Sequence, residues 1–221
     1  MSLKTYREKR NFTISSEPSG GKKTNSDPKQ SLIFVIQKHR ATALHYDFRL
    51  EWNGTLLSWA VPKGPSMDPS VKRLAMQVED HPVEYADFEG VIPEGEYGGG
   101  TVMVWDQGTW VPESEDPEEA VRKGDLKFTL QGKKLKGSWV LVRTRGFGSK
   151  ADKSWLLIKH RDTFASTNDI AVDEPRSVVS KKLLADIARD NGGDVEKAAT
   201  GDPGKQKKVA APAAKKKSAK K

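Results

Sequence analysis

The sequence predicts a mainly β protein: a single β-barrel-like domain with a few short helices and a disordered basic tail. Three observations carry this. Residues 44–50 and 73–81 alternate polar and apolar side chains with the period of a strand. Asn53-Gly54 stands between two such runs, a strong hairpin signal. Further short β-type runs follow at close spacing, separated by Gly-containing turns, the pattern of a barrel or sandwich.

Residues 1–30 are polar and weakly periodic, and read as an N-terminal arm. The barrel domain is expected over 31–165. Residues 32–37 form a strand leading into His39. Residues 44–50 form the next, and Asn53-Gly54 turns the chain into 56–61. Pro62, Lys63, Gly64 and Pro65 break that strand. Residues 73–81 are read as one continuous strand, with Leu74, Met76 and Val78 facing the core. GEYGGGT (95–101) lacks the Gly-Lys-Ser/Thr ending of a P-loop, so Gly98–Gly100 reads as a permissive turn into a strand at 101–105. Asp116 caps a short helix that starts with Pro117 and stops at Gly124. Strands follow at 126–130, 138–144 and 155–160, with QGKK and RGFGSK as turns. Residues 166–192 are an extension with one helix, marked by Leu183, Leu184, Ile187 and Ala188 and stopped near Gly192. Residues 193–221 are expected to be a disordered Lys-rich tail.

The net charge of +8 sits at the ends. Residues 201–221 carry eight lysines and one aspartate, and residues 1–30 carry seven basic and three acidic groups, which leaves the body mildly acidic. A flexible lysine tail suits non-specific attraction to phosphates. With no cysteine, disulfides and thiolate metal sites are excluded. No apolar run approaches membrane-spanning length and no signal-peptide core is seen, so no membrane contact and a cytoplasmic, nucleoid-associated location are expected. Most of the six tryptophans are placed in the core or at its rim, with base stacking as the alternative.

Candidate chemistry gathers on the polar faces. In 44–50, His45, Asp47 and Arg49 point one way, about 7 Å apart in succession, and Leu44, Tyr46, Phe48 and Leu50 the other. In 73–81, Arg73, Ala75, Gln77, Glu79 and His81 share a face. One shared groove follows. His39, Asp47 and His81 offer two imidazoles and a carboxylate to a divalent metal. His45, Arg49 and Arg73 remain as anion donors, the equipment of phosphoryl chemistry. Lys63 is a further candidate anion donor, and Tyr85 is near enough to reach the groove. His45-Tyr46-Asp47 also fits a non-haem iron oxygenase using His45, Asp47 and His81 or His160. A non-catalytic DNA-end binder using the basic tail is the other alternative.

QKHRATALHYDFRLEWNG, AVPKGPS, EDHPVEYADFEGVIPEGEYGGGTV and WLLIKHRD, in that order and with KRNF and EPSG upstream, closely resemble the phosphoesterase domain of bacterial ligase D, a repair ligase of end joining. The resemblance covers about residues 3–165. The chain is too short for ligase and polymerase domains, so it looks like a stand-alone member. The resemblance implies that His39, Asp47 and His81 bind the metal, usually Mn2+ or else another divalent transition metal. His45 and Arg49 would hold the scissile phosphate, with Arg73, Glu79, Gln37 and Tyr85 around them. Arg10 and Glu17 would fold back over the site, and Asn11 stands where the family often has an acid. The implied activity is trimming of DNA or RNA-tipped primer–template 3′ ends. A terminal ribonucleoside is removed to leave a 3′-phosphate, which is hydrolysed to 3′-OH. A DNA ligase and end-joining proteins are the implied partners.

Overall fold

The computed structural model describes residues 2–21, 31–144 and 151–204. The expected RGFGSK turn and the tail from 205 lie outside the described residues, as does part of the arm. The strands are β1 (Ile33–Arg40), β2 (Leu44–Trp52), β3 (Thr55–Val61), β4 (Lys72–Gln77), β5 (His81–Pro82), β6 (Gly90–Ile92), β7 (Gly100–Pro112), β8 (Asp125–Gly132), β9 (Lys136–Arg143) and β10 (Ser154–Lys159). The helices are α1 (Lys4–Glu8), α2 (Pro117–Lys123), α3 (Ile170–Asp173), α4 (Leu184–Asp190) and α5 (Val195–Ala199).

Eight strands close into an antiparallel barrel in the order β1-β2-β3-β4-β10-β9-β8-β7 and back to β1. Strand β7 makes the closure. Its register on β1 shifts between Ile36 and Gln37, and such an irregularity bends a strand toward its neighbour. The β2–β3 hairpin turns at Asn53 and Gly54, both with positive φ (49° and 74°), as its two-residue loop requires. Helix α2 is capped as expected: Asp116 accepts from Glu119 N and Gly124 takes φ 83°.

The barrel interior is packed with aromatic rings. Trp59, Trp105, Trp110, Trp139 and Trp155 are fully buried, and Trp59 meets Trp155 edge to face at 5.8 Å. Tyr46, Phe48 and Leu50 of β2 point into this core. A second, smaller cluster lies outside the barrel, where Tyr6 of the arm, Tyr85 and Ala86 cover Val35, Leu56 and Val104. The arm is thus an integral layer, and Tyr6 is completely buried.

Two expectations need correction. Residues 73–81 are not one strand. β4 ends at Gln77, and His81–Pro82 pairs separately with β3, Leu56 opposite His81. The face assignment is also reversed. The pairing of Met76 with Ala60 turns Leu74, Met76 and Val78 outward, and Leu74 is 44% exposed. Ala75 lies in the core and Gln77 accepts a hydrogen bond from Trp155 Nε1. Second, order continues past residue 193. Helix α5 buries Ala198, and the Asp202 carboxylate accepts from Leu184 N and Ala185 N at the start of α4. The extension therefore carries α3, α4 and α5 rather than one helix. Among the described residues no helix is long and apolar enough to cross a membrane.

Candidate active site

The polar faces of β1 and β2 are brought together outside the barrel by a hairpin over Ala41–Ala43. Its register sets His39 opposite His45, Gln37 opposite Asp47 and Val35 opposite Arg49. Side chains of paired residues share a face, so the two imidazoles lie side by side with ring centroids 4.8 Å apart. Strand β3 adds Ser58 and Ala60, and β5 adds His81. A cavity of about 370 Å³ opens on this face, with Arg10, His39, His45, Asp47, Arg49, Glu79, His81 and Tyr85 in its lining.

Three donor atoms converge. His39 Nδ1 and His45 Nε2 each lie 3.5 Å from Asp47 Oδ2, and one ligand atom from each of the three residues falls within 4.8 Å of the others. The opposite ring nitrogens are tied to backbone. His39 Nε2–H donates to the Gly98 carbonyl at 2.8 Å, and His45 Nδ1–H to the Ala43 carbonyl at 3.0 Å. A carbonyl only accepts, so in its neutral form each ring keeps its lone pair on the nitrogen facing Asp47, and in its protonated form that nitrogen donates to the carboxylate. Anchoring the outer N–H in this way is how proteins orient imidazole ligands. A donor separation of 3.5 Å is also what two ligands about 2.1 Å from a common ion would show at a roughly tetrahedral angle. The residues present fit a divalent cation.

His81 does not join this set. Its Nδ1–H donates to the Glu79 carbonyl at 2.9 Å, and its Nε2 lone pair accepts from Arg10 Nη2 at 3.0 Å. Arg49 Nη1 sits 2.9 Å from Nδ1 and directs its own N–H to Ser58 Oγ at 2.8 Å. The expected metal ligand is therefore held between two guanidinium groups, while His45, expected at the phosphate, takes its place beside His39 and Asp47.

The electrostatics follow from these neighbours. Burial alone raises the Asp47 carboxyl, but the Arg49 charge and the two imidazoles outweigh it and hold the group well below the carboxylate range. Burial also opposes charge on His45, and its bond to Asp47 overcomes that and raises its pKa. Burial, then the charges of Arg49 and Arg10, pushes His81 well below the imidazole range, so it is neutral. Tyr85 is driven well above the phenol range by burial and by Glu17.

Behind the wall, Gln37 and Glu17 position the cations. Gln37 Oε1 accepts from Arg49 Nε at 2.9 Å, while its amide donates to the carbonyls of Tyr85 and Phe88. Glu17 accepts from Arg10 Nε, Ser15 Oγ and the Tyr85 hydroxyl. Arg10 also stacks over the Tyr6 ring at 3.9 Å and reaches Glu79. Two expected residues stay away. Arg73 shares the inward face with Ala75 and pairs with Leu157 on β10, and Lys63 is exposed in the loop after β3; neither lines the cavity. His160 binds Ser138 Oγ on the far side of β10, so the oxygenase ligand sets with His81 or His160 are not assembled.

Sequence reasoning missed the carbonyls of Ala43 and Gly98, together with Ser58, Lys9 and Tyr97. A hairpin over Ala41–Ala43 was the available signal: centred there, it places His39 against His45.

A protein-family model described as "DNA Ligase D 3′-phosphoesterase domain" matches residues 37–143, the span that supplies most of this site. The chain is 51% identical over 185 residues to the "Multifunctional non-homologous end joining protein LigD" of Pseudomonas aeruginosa, covering 82% of this chain and 22% of that protein. It is 50% identical over 115 residues to the "Multifunctional non-homologous end joining DNA repair protein LigD" of Mycobacterium tuberculosis, covering 51% of this chain and 15% of the relative. Against the protein of the first name from Mycolicibacterium smegmatis it is 41% identical over 169 residues, covering 72% of this chain and 21% of the relative. The chain thus spans 15–22% of the length of the curated relatives it matches. By these matches the chain belongs to the DNA ligase D 3′-phosphoesterase domain family.

Proposed function

We propose that the chain is a metal-dependent phosphoesterase that heals DNA 3′ ends, removing terminal ribonucleosides and 3′-phosphates to leave a 3′-OH for end joining. The observation that carries this reading is the convergence of His39, His45 and Asp47 beside a cluster of anion donors, Arg49 and Arg10 with His81 between them. Nitrogen and oxygen donors without thiolate suit Mn2+ and its neighbours in the transition series. When bound there, a divalent cation would polarise a phosphoryl oxygen and lower the pKa of a bound water.

The chain's own residues then divide the work. Arg49 and Arg10 face the non-bridging oxygens of the scissile phosphate, where charge builds as water adds to phosphorus. Arg49 is already fixed by Gln37 and Ser58, so it reorganises little on binding, whereas Arg10, seated on Glu17 and Tyr6, gives up its bond to His81 Nε2. Neutral His81 offers an Nε2 lone pair to a P–OH or water proton once phosphate draws Arg10 toward itself. On a ribonucleoside end, water adds, the P–O5′ bond breaks, and the nucleoside leaves with a proton on its 5′ oxygen. On the resulting 3′-phosphate, the P–O3′ bond breaks and inorganic phosphate departs, leaving the hydroxyl. The reading places the protein with DNA ends in the cytoplasm, alongside a DNA ligase and end-joining proteins.

The test is to incubate the chain with Mn2+ and a labelled primer–template ending in one ribonucleotide or in a 3′-phosphate. Both shortened and dephosphorylated products are expected, and both should vanish in Asp47→Ala. Absence of either product from the wild-type chain, or activity retained in Asp47→Ala, contradicts the reading.

A further inference from the structure

The rim of the cavity carries an aromatic ring, Tyr97, to which the phosphate chemistry assigns no role and which Lys9 and Arg10 approach at 4.5 and 5.5 Å from the centroid. The chain has four tyrosines. Tyr6, Tyr46 and Tyr85 are buried, whereas Tyr97 is 48% exposed and lines the cavity. Its position is fixed from two sides. The Tyr97 hydroxyl lies 3.2 Å from Lys9 Nζ, which also donates to Glu79 Oε2 at 3.1 Å. The next residue, Gly98, accepts the N–H of His39, so the backbone under the ring is joined to a metal donor. Two tight turns, Glu96 N to Pro93 O and Gly99 N to Glu96 O, hold the loop, and Gly98 takes φ +82° just after the ring.

A substrate cut at a 3′-terminal phosphodiester brings flat nucleobases next to the phosphate. The remaining aliphatic lining, Ala41, Ala43, Ala60, Val78 and Ile92, has no flat face to offer. An aromatic ring grips any base through its π face, independent of sequence. We propose that Tyr97 is the stacking platform for a nucleobase flanking the scissile phosphate. This rests on the 3′-end reading of the site, and it adds a determinant that separates a nucleoside-bearing end from a bare 3′-phosphate.

The experiment compares wild type, Tyr97→Ala and Tyr97→Phe on primer–templates ending in a ribonucleoside or in a 3′-phosphate. A 2-aminopurine is placed either at the terminal nucleoside or at the nucleotide just upstream. Tyr97→Ala should raise KM for the ribonucleoside end about ten- to a hundredfold, more than for the 3′-phosphate end, with Tyr97→Phe within about threefold of wild type. In binding experiments without turnover, 2-aminopurine fluorescence should be quenched by wild type and Tyr97→Phe but not by Tyr97→Ala. The position at which quenching is lost identifies the departing or the upstream base as the one stacked. Tyr97→Ala matching wild type in KM and in quenching at both positions overturns the proposal. So does Tyr97→Phe as impaired as Tyr97→Ala, because the hydroxyl bridge to Lys9 would then be what matters. A wild-type chain that quenches but forms no product leaves the platform standing and sinks the 3′-end reading instead.

Discussion

The two faces of β2 make opposite use of burial. Inward, Tyr46, Phe48 and Leu50 sit among tryptophans and are held by shape. Outward, Asp47 and Arg49 are nearly as inaccessible, at 7% and 3% exposure, but are held by named partners. Arg49 bonds Gln37 and Ser58, and Asp47 faces His39, His45 and Arg49. The two regions differ less in water access than in what satisfies them. The interior has few directional requirements beyond packing, such as the bonds of Trp155 Nε1 to Gln77 and of Trp110 Nε1 to the Glu51 carbonyl. The outer face has one for every polar atom, and after those are met it leaves lone pairs and N–H groups aimed into a cavity. Reactivity lies on the layer between barrel and arm, and the barrel serves as its rigid support.

The largest expected effect breaks the inner half of this comparison. Trp59→Ala should cost about 3–5 kcal/mol of unfolding free energy by leaving a cavity against Phe48 and Trp155. Urea denaturation measures this, and a loss under about 1 kcal/mol would mean the interior relaxes rather than packs.

The outer half is sharpened by a smaller, directional effect. Arg49→Lys keeps the charge but not the planar fork that meets Gln37 and Ser58, and should slow phosphate hydrolysis by roughly 10²–10³-fold. Gln37→Ala, acting only through Arg49 and the residues behind it, should cost about tenfold, and the two changes should be non-additive in a double-mutant cycle. Additive effects would show that Gln37 does not position Arg49.

How far the sequence reached follows the same division. The alternation in 44–50 was legible because β2 has a wholly apolar and a wholly polar face, and the hairpin at Asn53-Gly54 because its turn chemistry is local. The segment 73–81 was misread because Leu74, Met76 and Val78 look like core residues, yet they face outward and Leu74 is 44% exposed, while the barrel side takes small Ala75 with polar Arg73 and Gln77. The site residues were largely identified, but not their partners. Which imidazole meets Asp47 depends on the β1–β2 register, and which meets Arg10 depends on the arm folding across from a distant part of the chain. Neither is encoded in the spacing of His39, His45 and His81. Tyr97 gave no signal because an exposed ring in a glycine turn looks the same whether or not a cavity opens beside it.

The central claim is that His45, not His81, completes the metal donors. Manganese binding to His39→Ala, His45→Ala and His81→Ala, followed by calorimetry or spin resonance alongside 3′-phosphatase rates, tests it directly. His39→Ala and His45→Ala should each weaken binding by about a hundredfold or more, beyond the 10–100-fold typical of losing an outer partner. His81→Ala should keep the metal and lose turnover. Loss of metal in His81→Ala with retention in His45→Ala would contradict the account.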